Sequence, residues 1–181
     1  KTWQMGFKSQ LVGRVAGGII IPYGNSKVSP FAESFYVGGA NSIRAFTVRS
    51  VGPGRYHVDN SELAYFDRVG DIKLEGNLEY RFNVFGGLYG ALFLDAGNVW
   101  NLKNNFDDQS DQDGVFRLKD FWKQMALGTG FGVRYDLDFF VLRLDLGIGL
   151  HLPYDTGKSG FYNIPKFRDG LGFHFAIGYP F

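Results

Sequence analysis

The side chains best equipped for chemistry are three histidines and an acidic loop. His57, His151 and His174 could serve as general bases. Nucleophilic catalysis also needs a serine or its equivalent and an acid at a workable spacing. No such cluster accompanies these histidines, and His174 sits on the polar parity of its segment. The run from Phe106 to Gly114, carried on to Asp120, sets Asp111, Asp113, Gly114 and Asp120 in places a calcium loop would use. Its first ligand position holds Gln109, however, and no helical pattern flanks it. A solvated acidic loop is the better reading. Cysteine is absent, which removes disulfides, thiolate zinc sites and cysteine nucleophiles. The sequence therefore points to no enzyme, no bound metal and no cofactor.

The remaining polar residues are notable for regular spacing. Lys73, Glu75, Asn77, Glu79, Arg81 and Asn83 occupy alternate positions, and so do Arg134 and Asp136, and Arg143 and Asp145. Residues two apart on a strand share one face, so each set lies on one surface of its strand. The intervening positions are apolar. Ile72, Leu74, Leu78, Tyr80, Phe82 and Val84 alternate with the first set, and the even residues from Phe140 to Leu152 do so with Arg143 and Asp145, apart from the glycine-free run they form themselves. The same period recurs in 7–21, where Phe7, Leu11, Val15, Ile19 and Ile21 oppose Lys8, Gln10 and Arg14. It recurs in 88–100, where Asp95 shares a side with Tyr89 and Phe93, opposite Leu88, Leu92 and Leu94. In 125–137, Met125, Leu127, Phe131, Val133, Tyr135 and Leu137 oppose Ala126, three glycines, Arg134 and Asp136. The last segment places Leu171, Phe173, Phe175, Ile177, Tyr179 and Phe181 against Gly172, His174, Ala176, Gly178 and Pro180. Period two prevails over period 3.6 throughout.

About six strands result, each near the ~9–11 residues that cross a bilayer at a tilt. The apolar face is nearly pure Leu, Phe, Tyr and Ile, and the polar face mixes glycine, alanine and paired charges. That pattern fits lipid outside and a wet lumen inside better than a soluble sandwich. Gaps 86–87 and 136–139 are tight turns, whereas 22–71, 101–121 and 153–170 are long. Short turns on one rim and long loops on the other suit an outer-membrane barrel. Tyr23, Tyr36, Trp100, Trp122, Tyr154 and Tyr162 lie at strand ends, where aromatics suit a membrane interface. No stretch approaches the ~20 apolar residues of a membrane helix. The net charge of +1 gives no electrostatic case for nucleic acid. No signal peptide opens the chain, so the expectation is the C-terminal piece of a longer protein.

Within loop 22–71, Phe35-Tyr36-Val37-Gly38-Gly39-Ala40-Asn41-Ser42 precedes Ile43-Arg44-Ala45-Phe46. Two strand elements follow in order, Gly76-Asn77-Leu78-Glu79-Tyr80-Arg81 and Phe93-Leu94-Asp95-Ala96-Gly97. In these motifs, spread over nearly its whole length, the chain resembles the C-terminal barrel of the outer-membrane insertase superfamily that includes BamA and TamA (the bacterial surface antigen family). The tetrad of that family is Val/Ile-Arg-Gly-Phe/Tyr, at the tip of a long extracellular loop folded back into the barrel. Here Ala45 stands in place of its glycine.

The resemblance implies an all-β antiparallel meander, residues 1–181 being the C-terminal part of a barrel of about sixteen strands. The earlier strands and periplasmic repeat domains would precede Lys1. It implies a bacterial outer-membrane location and insertion of β-barrel proteins without covalent catalysis. The partners would be membrane lipid, unfolded barrel clients and periplasmic or lipoprotein accessory subunits. It implies that Arg44 pairs with Asp95 inside the lumen. A guanidinium can grip a carboxylate through two parallel hydrogen bonds. Breaking a buried pair costs roughly 3–5 kcal/mol, and a charge swap is expected to restore part of that. The remaining motif residues expected to matter are Gly38, Gly39, Ile43, Ala45 and Phe46 of the loop, and Asn77, Glu79, Arg81, Phe93 and Gly97 of the strands.

The family's proposed mechanism adds a client strand at a seam between the first and last strands. The last strand, with Phe173, Phe175, Ile177, Tyr179 and Phe181, would form one lip of that seam, and Phe181 resembles a client sorting signal. Pro180 removes a backbone donor, and Gly172 and Gly178 loosen the strand. The alternatives are a secretion transporter for one dedicated partner and a passive structural or pore-forming barrel.

Overall fold

The computed structural model describes residues 1–6, 8–25, 29–57, 68–103 and 113–181. Seven strands form one sheet: β1 (Thr2–Gly6), β2 (Ser9–Ile19), β3 (Ile72–Phe85), β4 (Leu88–Trp100), β5 (Ala126–Asp136), β6 (Val141–His151) and β7 (Leu171–Ile177). Each pairs antiparallel with the next, so the sheet is an uninterrupted meander.

Two boundaries differ from the sequence pattern. The segment expected over 7–21 is preceded by a separate short strand, β1, which pairs with β2 through Trp3↔Leu11 and Gln4↔Gln10. Five residues carry too little alternation to stand out. At the other end the ladder stops at Ile177, although apolar alternation continues to Phe181. Gly178 takes a φ of 90° and donates its N–H to the Val141 carbonyl at 2.7 Å. That left-handed conformation is open to glycine at little cost and turns the chain out of the strand.

Burial on the two faces is the reverse of a soluble protein. In β3, Glu75, Asn77, Glu79 and Arg81 are buried, while Leu78 and Tyr80 are exposed. In β5 and β6, Arg134, Arg143 and Asp145 are buried, while Phe131, Val133, Tyr135 and Leu144 are exposed. Phe173, Phe175 and Ile177 of β7 are more than 60% exposed. Charge-bearing side chains therefore line an inner face, and large apolar ones line an open outer face.

The inner face is covered by the connection between β2 and β3. Val37, Ile43, Ala45, Phe46 and Val51 of that connection pack with Val99, Ala126, Leu152 and Ile164 into the core. Phe35 ties the loop base to Gly70 by reciprocal backbone bonds of 2.9 Å. The β3–β4 turn uses Gly86 at φ 50°, and the β5–β6 turn uses Asp138 at φ 68°, its N–H bonded to the Asp136 carboxylate at 3.0 Å. Short connections thus lie at one end of the sheet and long ones at the other.

Candidate functional site

The site begins with a tight reversal in the loop. Gly38 and Gly39 have φ of 100° and 92°, and a Cβ at Gly38 would strike the Thr47 carbonyl. Only glycine fits there without strain. Gly39 N–H donates to the Phe46 carbonyl at 2.8 Å, and Ser42 Oγ accepts from Gly38 N–H at 3.0 Å. Ile43 and Phe46 enter the core on either side of the tip, so Arg44 is driven down onto the inner face.

Sheet register supplies its partners. Cross-strand pairing sets Arg14, Asn77, Asp95 and Gly128 in one row of inward positions. The next row holds Val12, Glu79, Phe93, Gly130, Gly147 and Gly172. Beyond it lie Gln10, Arg81, Ala91, Gly132, Asp145 and His174. Arg44 Nε donates to Asp95 Oδ2 at 2.8 Å and Nη2 to Oδ1 at 2.9 Å, a bidentate grip. Its backbone N–H adds a third bond to Oδ2 at 3.1 Å. Asn77 Nδ2 donates to Asp95 Oδ1 at 3.0 Å and to the Ser42 carbonyl at 2.9 Å, tying strand, carboxylate and loop together. The guanidinium lies 3.6 Å above the Phe93 ring, a cation–π contact.

Arg44 does not belong to Asp95 alone. Its Nη1 also donates to Glu79 Oε2 and stands 4.0 Å from Asp145 Oδ2. Arg134 bridges the same two carboxylates, at 3.1 Å to Glu79 and 2.6 Å to Asp145. Arg81 Nε takes the other Glu79 oxygen at 2.7 Å, and Arg143 approaches Asp145 at 3.4 Å. Four guanidiniums thus surround three carboxylates, all of them buried. Burial alone would lower the Arg44 pKa. The hydrogen bonds and charge of Asp95, and the charge of Glu79, outweigh it and hold the group above its ordinary value.

The loop tip rests on backbone. Side chains at Gly147 or Gly172 would run into the Arg44 carbonyl, and one at Gly128 into Ala45 Cβ. Three glycines on β5, β6 and β7 make a floor on which Arg44 and Ala45 lie flat. His174 Nε2 lies 2.8 Å from the Arg44 carbonyl and anchors the tip to β7. Ala45 is 2% exposed and is not among the positive-φ residues, so the small side chain answers to space rather than to a left-handed backbone. Gly97 plays a similar part, since a Cβ there would press on Glu75 and Ile43.

The motif residues thus meet in one place: Arg44, Asn77, Glu79, Arg81, Phe93, Asp95 and Gly97. Phe173, Phe175 and Ile177 do not, because they lie on the outer face. Tyr179 and Phe181 turn inward past Gly178. The Tyr179 ring sits 4.4 Å from the Arg81 guanidinium, and Phe181 lies within 6 Å of Arg14, Arg44 and Arg81. Sequence reasoning did not reach Arg134, Arg143 and Asp145 as partners, nor the glycine floor. Their inward parity was visible, but their meeting depends on register. The three histidines are apart: His57 stacks on Tyr154, His151 bonds the Phe161 carbonyl, and His174 faces the loop. The first half of the acidic loop, including Gln109 and Asp111, lies outside the described residues. The arrangement can clamp a loop to a wall.

Known proteins align with this chain as follows. A family model described as the Omp85 superfamily domain matches residues 2–181. The chain is 33% identical over 105 residues to outer membrane protein assembly factor BamA of Neisseria meningitidis, covering 55% of this chain and 12% of that protein. It is 36% identical over 102 residues to the sorting and assembly machinery component 50 homolog of Homo sapiens, covering 55% of this chain and 21% of that protein. The Xenopus tropicalis homolog is 35% identical over 102 residues, with the same coverage. The chain therefore spans only 12% to 21% of the length of these relatives.

Proposed function

Because the chain belongs to the Omp85 superfamily, we propose that it is the loop-bearing part of a β-barrel assembly factor of an outer membrane. In this reading barrel proteins are inserted without covalent chemistry, by pairing a client strand to an open strand edge. The matched relatives are named as assembly factors or assembly machinery components, in a bacterium and in vertebrates. That supports the assembly role and leaves open which kind of outer membrane is served.

The observation that carries the mechanism is β7. It is the last strand of the meander and is bonded to β6, so its other side is where the complete barrel would meet its first strand. An unpaired edge offers a row of N–H and C=O groups to an incoming strand. The ladder is only seven residues long before Gly178 turns away. Gly172 and His174 of the same strand carry the loop tip. The clasp therefore braces the wall immediately beside the edge that would receive a client.

The test uses the full-length protein reconstituted in vesicles. This stretch contains no cysteine, so an engineered pair joining β7 to the strand it meets in the complete barrel is easily controlled. Locking it by oxidation should abolish insertion of a client barrel, and reduction should restore it. Full insertion by the locked protein would rule out the seam. Depletion in cells should leave clients unfolded; normal client folding would rule out the assembly role itself.

A further inference from the structure

At the short-turn end of the inner face lies a cavity of about 320 Å³, at the small end of the ~300–1,000 Å³ typical of ligand sites. The register builds it from two adjacent rows. Gln4, Gln10 and Arg81 form one, and Lys8, Asn83 and Tyr89 form the other. No carboxylate of the described residues lines it.

Its two cations have spare capacity. Arg81 is 7% exposed and spends Nε on Glu79; Nη2 is closed off, while Nη1 makes no hydrogen bond among the described residues and is not closed off. Glu79 cannot supply one, because its second oxygen is engaged by Arg44 and Arg134. The Lys8 ammonium makes no ion pair among the described residues, and the side chains of Gln10 and Tyr89 make no hydrogen bond among them. The group that matches an unbonded guanidinium N–H and an ammonium lining one cavity is an oxyanion. The amides and the phenol can hold a polar body attached to it.

We propose that this cavity binds an oxyanion group, a carboxylate or a phosphate, through Arg81 and Lys8. The site touches the Arg44 clasp through Arg81, which shares Glu79 with Arg44, but it does not depend on the assembly role.

Calorimetric titration of the full-length protein in detergent at low salt tests it with three probes: inorganic phosphate, N-acetylglutamate amide and the neutral N-acetylglutamine amide. Saturable binding of phosphate or of the glutamate probe, without binding of the glutamine probe, is expected. Preference between the two charged probes identifies a free ion or a side-chain carboxylate as the source. Lys8→Gln should weaken binding about tenfold, and Arg81→Gln should weaken it at least as much. Lys8 holds no structural ion pair, so its variant keeps the test valid if Arg81→Gln fails to fold. Absence of saturable binding, equal binding of the neutral probe, or affinity unchanged in Lys8→Gln would overturn the proposal. The titration involves no client, so its failure leaves the assembly reading untouched.

Discussion

Arg44 is held by three kinds of contact at once: a bidentate carboxylate, a shared second carboxylate and an aromatic ring. Removing it leaves the buried Asp95 with only the Asn77 amide, while Glu79 keeps Arg81 and Arg134. Arg44→Ala should cost about 3–5 kcal/mol, and so should Asp95→Ala, read from urea unfolding in vesicles. Arg44→Lys should lose much of the same, because an ammonium cannot reproduce the planar fork. The charge swap fares worse than a simple pair suggests. A carboxylate at position 44 would face Glu79 and Asp145 as well as its new partner. The double variant Arg44→Asp with Asp95→Arg should therefore be no more stable than the weaker single variant. Substantial rescue in that cycle would show that Glu79 is a bystander.

At the level of elements, the loop and strands β5 to β7 depend on each other through absence of side chains. Gly147→Val should lift the loop tip, because the new side chain would occupy the space of the Arg44 carbonyl. A loss of about 1–3 kcal/mol is expected from overpacking, together with faster protease cutting between residues 35 and 54. Unchanged cutting would mean that the loop docks elsewhere. This floor also marks the limit of what could be read beforehand. Period-two alternation exposed the strands and sorted Asn77, Glu79, Arg81 and Asp95 onto one face, since that follows from pleat alone. Gly128 read merely as a small inward position and Gly172 as a loosening of the last strand, and Gly147 drew no reading. Their alignment under the loop arises from cross-strand register, which no single segment encodes. The Arg134–Asp145 pair was hidden for the same reason. The end of β7 was misread because alternation says which way a side chain points but not where backbone pairing ceases.

For the whole molecule, the inverted burial makes a direct prediction about surroundings. Trp3 lies on the outer face, 42% exposed, whereas Trp100 is fully buried against Phe116 and Phe121. In single-tryptophan variants of the full-length protein, brominated lipid should quench Trp3 and spare Trp100. An unquenched Trp3 would mean that lipid does not cover the outer face. The clasp has one more consequence, in the order of events during folding. Arg44 meets Arg143's partner Asp145 only after some hundred residues of chain have followed it, and His174 lies 130 positions away. Contacts so distant in sequence form slowly, since chain closure must precede any reward. Until β5, β6 and β7 have assembled there is no floor for the tip and no counter-charge beyond β4. The contacts with β3 and β4 can form first, and the tip should settle fully only once β5, β6 and β7 lie beneath it.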